Sequence, residues 1–342
     1  MFIYLYLAIL SILIFIWVYK LRKKLGLALN VNDIPNEKRK IHKYPTPKTG
    51  SYSIFITLII FLLIELFFFQ IDKSFNFIVI GSILFFIVGF FDDKFNLSPT
   101  IRIFLGIFII LLITILDKYF IISQFYLSSF DTFFYLNNFS LIFTTLCILC
   151  LINSLNFSDG INGLACGLVF FWLIYILFIY KDYIDINIFC LVTIILSNLI
   201  LIFYFNIKGH HFLGDAGSLM TSSFVAFLII FLHNQKLNDP GPQDSAESIL
   251  IIFLIPFLDM LRLLISRTFR KESPAKGDND HLHHYLITKF SIINSLIIYF
   301  LLVNVPIVVS LLTTLNKFII LIIAILLYSS LIIYLKKNVS RN

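Results

Sequence analysis

The stretch IVIGSILFFIVGFFDD, Ile78–Asp93, decides the fold. It is an uncharged apolar run that ends in two adjacent carboxylates. In hydrocarbon a chain must satisfy its own backbone polar groups, so a run of this kind reads as a membrane helix with its acids at the boundary. Comparable runs recur near 2–19, 51–69, 76–91, 101–116, 140–155, 163–180, 186–205, 217–233, 248–266, 291–313 and 318–335. The expectation is an all-α, polytopic integral membrane protein with about eleven transmembrane helices. Residues 1–342 then form a single membrane-embedded domain.

Composition agrees. The 342 residues are 59% hydrophobic and 13% charged, with 40 Phe, and mean hydropathy is +0.96. A soluble domain needs roughly 25% charged residues to cover its surface. The net charge of +7 therefore belongs to loops beside a membrane, and nucleic acid is excluded as a partner. Phe2–Val18 has no preceding positive charge and no small-residue cleavage site, and Lys20, Arg22, Lys23 and Lys24 follow it, so it reads as a retained first helix. Cys147 and Cys150 form a CxxC inside an apolar run, where they act as small apolar side chains; with Cys166 and Cys190 they are expected to form no disulfides.

Charge bias sets the orientation. One alternating set of loops, including Lys20–Lys48 and Arg267–Lys289, holds 20 Lys and Arg, and the other set holds 5. By the positive-inside rule the rich loops are cytoplasmic, with the N-terminus outside and the C-terminus inside. The poor-side segment from Lys118 to Asn138 is aromatic and polar, and reads as an interfacial hairpin. The rich loops carry four compact polar clusters, and four clusters on one face imply a shared site.

Each cluster suggests chemistry. Asp92 and Asp93 repel unless a cation intervenes, which suits a divalent metal, a proton acceptor, or both. Ser98-Pro99 then reads as an N-cap with proline at the first helical position. Asn153, Asn156, Asp159 and Asn162 recur every three residues, which on a helix or helix-like turn gives an oxygen-rich face for a hard cation and phosphates. Gly214-Asp215-Ala216-Gly217-Ser218 opens a helix whose N–H groups form an anion site, with Asp215 as a cap or metal ligand. His281, His283 and His284 follow Arg267, Arg270, Lys271 and Lys276; they suit phosphate binding, zinc, or a structural role, and the oxygen-based neighbours favour magnesium or manganese over zinc. Positioning and charge neutralisation are what phosphoryl transfer asks of a protein.

These clusters resemble, in order, the motifs of the polyprenyl-phosphate N-acetylhexosamine-1-phosphate transferases. The matching segments are Asp33–His42, Pro45–Gly50, Gly89–Asp93 with Leu97–Pro99, Asn153–Gly160, Phe212–Ser218, Pro256–Asp259, Ser273-Pro274 and His281–His284. The resemblance implies a glycosyl-1-phosphate transferase of the inner (plasma) membrane, with its active site at the cytoplasmic face. Such an enzyme moves an N-acetylhexosamine 1-phosphate from a UDP-sugar to undecaprenyl (polyprenyl) phosphate. It releases UMP and starts a lipid-linked cell-surface glycan. The resemblance further implies Mg2+ (or Mn2+) held by Asp215 and Asn156. Asp92 or Asp93 then serves the lipid phosphate, and Asp159 supplies charge or uridine contacts. His281, His283, His284 and Arg267 hold phosphates, and Asn162 and Lys48 contact substrate. A homodimer is allowed for.

Three positions depart from the family's pattern: Asn162 stands where a second Asp is usual, Ser51 where a second glycine is, and Arg102 where Lys is. The competing reading is a transporter of lipid-linked intermediates or ions, for which the ionisable residues inside spans are Glu65, Asp259 and Arg262. Asp259 and Arg262 are spaced to pair, and Pro256 is expected to break their helix as a lateral entrance for lipid.

Overall fold

A computed structural model describes residues 2–35, 44–68, 73–237, 245–273 and 279–339. Residues 36–42 of the first motif, Pro274 and Lys276 lie outside the described residues. The chain is helical almost throughout: α1 (Phe2–Leu29), α2 (Tyr52–Phe68), α3 (Lys73–Phe95), α4 (Pro99–Leu116), α5 (Ser140–Ser158), α6 (Leu164–Ile179), α7 (Ile186–Ile207), α8 (Gly214–Leu237), α9 (Ala246–Phe269), α10 (Leu282–Lys289), α11 (Ile292–Leu312) and α12 (Lys317–Val339). Two short antiparallel pairs complete it: β1 (Asn32–Asp33) with β2 (Thr46–Pro47), and the hairpin β3 (Gln124–Leu127) with β4 (Thr132–Tyr135).

The all-α membrane expectation is borne out. Among the described residues nine helices are long and apolar enough to cross a membrane, and α2 and α6, at 17 and 16 residues, are shorter apolar helices. Each expected span falls on one of these eleven. The remaining helix, α10, is only 8 residues long, too short to be a span. Ser98 caps α4 as expected, its hydroxyl accepting from the Ile101 N–H at 3.4 Å, with Pro99 opening the helix. The 118–138 segment is a hairpin. Its tip is tied to α9 by Glu247, whose carboxylate accepts from the Ser128 and Ser129 N–H groups at 3.2 and 3.0 Å. Pro256 does not break α9, which runs unbroken from Ala246 to Phe269, so no lateral entrance opens there.

The axis of the bundle is α8. Its most apolar window is wholly buried, against 28% of that of α4 and 33% of that of α12. Large apolar side chains on the outer helices, such as Leu13, Phe104, Ile142 and Leu326, are exposed and face outward, as lipid requires. The sequence of α8 explains its place. Its first half is rich in Gly, Ala, Ser and Thr, which let neighbouring backbones approach closely. Its hydroxyls bond back to the helix: Thr221 to the Gly217 carbonyl at 2.8 Å, Ser223 to that of Met220 at 2.9 Å. No polar group there needs water.

The tightest approach is between α3 and the start of α8. A Cβ at Gly89 would lie 2.4 Å from the Asp215 carbonyl oxygen and 2.5 Å from the Ala216 Cα, both backbone atoms. Gly89→Ala must therefore part the two helices, an overpacking cost of about 1–3 kcal/mol. It is expected to lower the melting temperature in detergent by several degrees. Gly106→Ala, whose Cβ would meet only side chains, Leu149 at 3.3 Å and Phe85 at 3.5 Å, is expected to melt within about two degrees of the parent. Equal melting temperatures for the two variants would remove the α3–α8 contact as a constraint.

Candidate active site

The end of α3 places two acids on diverging faces. Successive helical positions are about 100° apart, so Asp92 and Asp93 do not share one cation. Asp92 Oδ2 lies 2.7 Å from Arg102 Nη1 on α4. Asp93 turns inward: Oδ1 accepts from the Asp215 N–H at 3.1 Å, and Oδ2 from the Ala216 N–H at 3.0 Å. Lys48 Nζ lies 3.0 Å from Asp93 Oδ1. The first turn of α8 is therefore capped by a protein carboxylate. The expected free anion site at that helix end is corrected, because its N–H groups already hold Asp93.

The loop that carries Lys48 is pinned to the approach to α8. The Phe212 N–H donates to the Pro47 carbonyl at 2.9 Å, and the Gly50 N–H donates to the Phe212 carbonyl at 2.9 Å. Ser51, the departure from glycine, donates its hydroxyl to the Leu213 carbonyl at 3.2 Å, so the extra atoms are used. At Gly214 the backbone turns at φ +76, and an added Cβ would lie 2.7 Å from Asp93 Oδ2. Glycine is required there on both counts.

Asp215 is the acid left open. Its side chain is 30% exposed, and its nearest cations are Arg102 at 3.9 Å and Lys48 at 4.0 Å. From α5, Asn156 Nδ2 donates to Asp215 Oδ1 at 2.6 Å and to Ser218 Oγ at 3.0 Å. Asp159 caps the end of α5. Its carboxyl is raised to about 7 by burial first, and then by Asp215 and Asp93, with Lys48 opposing. Burial depresses Lys48 while Asp93 and Asp215 raise it, and the net direction is upward. The acids here outnumber the cations, and the surplus adds to the effect of burial on Asp159.

The three-residue pattern does not form one continuous face. α5 ends at Ser158; Asn153 bonds back to the Leu149 carbonyl at 2.8 Å. The turn carries Asn162 toward Gly209, where its amide would lie 4.0 Å from an added Cβ. Asn162 is thus placed beside the α7–α8 loop.

The histidines meet this turn from the other side. His281 precedes α10 in extended conformation, and His283 and His284 lie in its first turn. The rings cluster, with centroids 5.1 Å (His281–His283), 5.9 Å (His281–His284) and 4.4 Å (His283–His284) apart. His283 Nε2 would lie 2.0 Å from a Cβ at Gly160, so the Asp159–Gly160 turn shuts His283 in. Burial, then His284 and His281, hold it well below the ordinary histidine range, and it is neutral. His281 lies edge-on to Phe157 at 5.8 Å, and the buried Arg267 guanidinium lies over the Phe157 ring at 5.7 Å. The end of α5 thus joins the histidine group to the acid group, and the four sequence clusters converge.

Asp259 pairs with Arg262 at 2.8 Å, as their spacing suggested. Its bonds to Tyr328 and to the Leu282 N–H had no signal in the sequence.

Fold and site define a polytopic helical membrane protein with acids, cations and histidines gathered at one set of helix ends. Residues 75–233 match the model of the family described as Glycosyl transferase family 4. The chain is 27% identical over 282 residues to the probable undecaprenyl-phosphate N-acetylglucosaminyl 1-phosphate transferase of Bacillus subtilis (strain 168), covering 82% of this chain and 76% of that protein. It is 26% identical over 275 residues to the undecaprenyl-phosphate alpha-N-acetylglucosaminyl 1-phosphate transferase of Escherichia coli (strain K12), covering 78% and 71%. The resemblance read from the motifs is borne out, and with it the expectation of a transferase.

A residue the sequence did not single out, His211, supports the loop before α8. It is 1% exposed and packs edge-on against Phe15 and Tyr19. Neither ring nitrogen has a hydrogen-bond partner, the Ile202 carbonyl lying outside bonding geometry. Burial, opposed by Ile202 and assisted by Arg22 and His210, lowers it to about 4 from 6.5. The unfolded chain therefore binds more protons between those values. Stability is full above about pH 6.5 and falls as pH drops toward 4, by up to about 3 kcal/mol from this residue. The melting temperature in detergent is expected to fall between pH 7.5 and pH 5, and to fall less in His211→Leu. An equal fall in both proteins would show that His211 does not charge on unfolding.

Proposed function

We propose that this protein transfers an N-acetylhexosamine 1-phosphate from a UDP-sugar to a polyprenyl phosphate such as undecaprenyl phosphate, releasing UMP at the cytoplasmic face of a bacterial inner membrane. The observation that carries this reading is the division of labour among the acids at the helix ends. Two are tied to cations and backbone, and one is left open beside oxygen donors. The curated relatives, named as undecaprenyl-phosphate N-acetylglucosaminyl 1-phosphate transferases, support the acceptor and the sugar. Twenty Lys and Arg in the loops of the site's side support the cytoplasmic face.

In this reaction an oxygen of the lipid phosphate attacks the β-phosphorus of the donor. The bond from that phosphorus to the bridging oxygen breaks, and UMP leaves with the electron pair. The donor set suits a hard cation: the Asp215 carboxylate is only loosely approached by cations, the Asn156 amide lies beside it, bonded through Nδ2, and would offer its oxygen by turning over, and the local charge surplus is negative. Mg2+ held by Asp215 and Asn156 would neutralise the diphosphate charge. Lys48 and Arg102, each within 4.0 Å of Asp215, attract the same phosphates.

The space beside Arg102 suits the acceptor. It is a small pocket between α3, α4 and α5, lined by Phe85, Val88 and Leu149 and by Arg102 and Asn156. An isoprenoid tail would lie on its apolar part while its phosphate meets Arg102 and Asp92. Asp92 is accordingly the acid that orients or deprotonates the lipid phosphate. Asp93 has both oxygens engaged on α8 and acts by holding Asp215 in place. His281, His284 and Arg267 face the donor's phosphates, and His283 forms the wall behind them.

The test is UMP release by purified protein supplied with polyprenyl phosphate, UDP-N-acetylhexosamines and Mg2+. Asp215→Ala is expected to abolish turnover, and chelation to stop the wild type until Mg2+ or Mn2+ is restored. Asp92→Asn is expected to lower the maximal rate by roughly a hundredfold or more with donor KM and melting temperature little changed. Asp93→Asn should lose both rate and several degrees of melting temperature, because it uncaps α8. Turnover by Asp215→Ala at the wild-type rate would sink the metal assignment. An Asp93→Asn enzyme as heat-stable as the parent would reverse the division between the two acids.

Sidedness has its own check. Single cysteines in place of Phe95 and Ser128 are expected to label from opposite sides of the membrane, Phe95 from the cytoplasm. Labelling of both from one side would contradict the orientation.

A further inference from the structure

Asp259 is a carboxylate on α9 with 3% exposure, and a buried charge persists only where partners surround it. Four groups do so. Arg262 Nη2 donates to Oδ1 at 2.8 Å, and the Tyr328 hydroxyl of α12 donates to Oδ1 at 2.7 Å. The Leu282 N–H at the start of α10 reaches both oxygens, at 3.2 and 3.1 Å. His281 Nδ1 lies 3.3 Å from Oδ2. That nitrogen is fully buried and off the ideal hydrogen-bond line, and it has no other partner. Such contacts are often long without substrate and tighten when it binds.

Asp259, His281 and His283 also sit close enough for their ligand atoms to surround a metal ion, within 4.8 Å of one another. The partners argue otherwise. Both carboxylate oxygens already accept hydrogen bonds, and the Arg262 guanidinium occupies the place where a cation's charge would fall. An acid–histidine pair accounts for the geometry without displacing anything.

We propose that Asp259 is a positioning residue for His281. By accepting from Nδ1–H it fixes the tautomer and the ring orientation, so that Nε2 is the nitrogen presented to the donor's phosphates at the end of α5. In both protonation states of the ring Nδ1 keeps its proton toward Asp259. The proton that is given to or taken from a phosphate oxygen sits on Nε2. Arg262 and Tyr328 hold the carboxylate still, and the Leu282 N–H ties it to the backbone beside His281. About a tenth of the His281 side chain is exposed, which leaves that side of the ring open to a ligand. The inference rests on the reading under Proposed function.

The test is a double-mutant cycle with UDP-N-acetylhexosamine and polyprenyl phosphate as probes. Asp259→Asn, which presents an amide where Nδ1–H needs an acceptor, is expected to lower kcat by about a hundredfold with donor KM changed less than about threefold. In a His281→Gln background the same substitution should lower kcat by less than about threefold, because the group it acts through is gone. A purely structural Asp259 would cut activity equally in both backgrounds, and that result overturns the proposal, as does wild-type kcat in Asp259→Asn. Should Asp259→Asn not fold, Asp259→Glu keeps the charge but moves the oxygens by one methylene. It is expected to lower kcat at least tenfold at a near-parental melting temperature, and unchanged kcat would be equally fatal. Turnover by the wild type with an additive cycle leaves the transferase reading standing and removes only the dyad. No turnover by the wild type removes both.

Discussion

Asp93 sits on α3, with 1% of its side chain exposed, and is bonded to two N–H groups of the first turn of α8 and to Lys48. A carboxylate so enclosed needs every one of these partners; removing one side of such an arrangement typically costs about 3–5 kcal/mol. It joins three elements that also meet elsewhere, α3 and α8 at Gly89 and the loop and the approach to α8 at Phe212. One is a loop after α1, one the end of α3, and one the opening of the central helix. Gly89 brings the α3 and α8 backbones within contact, and Gly214 gives the chain its turn into α8. The Asp93 carboxylate then fixes the height and rotation at which α8 begins. Asp215 and Ser218 follow from that, since both lie in the first turns of that helix.

Fixing α8 in this way has an electrostatic consequence. Lys48 and Arg102 are committed to Asp93 and Asp92, and reach Asp215 only at 4.0 and 3.9 Å. Asp215 is therefore only loosely compensated, and the buried Asp159 carboxyl is raised by its burial first and then by Asp215 and Asp93. A site with surplus negative charge at a helix opening does not attract a phosphate by itself. It attracts a cation, and through the cation a diphosphate. The capped helix end and the acid surplus thus favour the same order of events in the proposed reaction, with metal and donor arriving together.

Much of this was legible in the sequence because the signals are local. Ile78–Asp93 announces a span and its acidic boundary, Ser98-Pro99 a helix start, and Gly214–Ser218 the opening of α8. All three stand where the pattern put them. The partners were not legible. That the N–H groups of Asp215 and Ala216 donate to Asp93 depends on two segments more than a hundred residues apart. Periodicity cannot report such a pairing. Asn162 was misplaced for a related reason: the three-residue spacing presumes a helix that continues, and α5 stops at Ser158. His211 and the Tyr328–Asp259 contact left no trace because a single polar residue beside an apolar run has no period at all.

The uninterrupted α9 bears on how a lipid substrate would arrive. A helix broken at Pro256 would have offered an entrance beside Asp259, deep among the histidines. With α9 continuous, the Asp259–Arg262–Tyr328 network closes that side and spans α9 and α12. A small pocket between α3, α4 and α5 instead lies beside Arg102 and Asn156, on the acid side of the site. Acceptor and donor would then enter from opposite flanks of α5, the lipid past Arg102 and the nucleotide past the histidines. Such an arrangement suits an in-line displacement, because attacking and leaving oxygens must lie on opposite sides of the phosphorus. The end of α5, from Asn156 to Asp159, touches both flanks, Asn156 bonding Asp215 and Phe157 meeting His281.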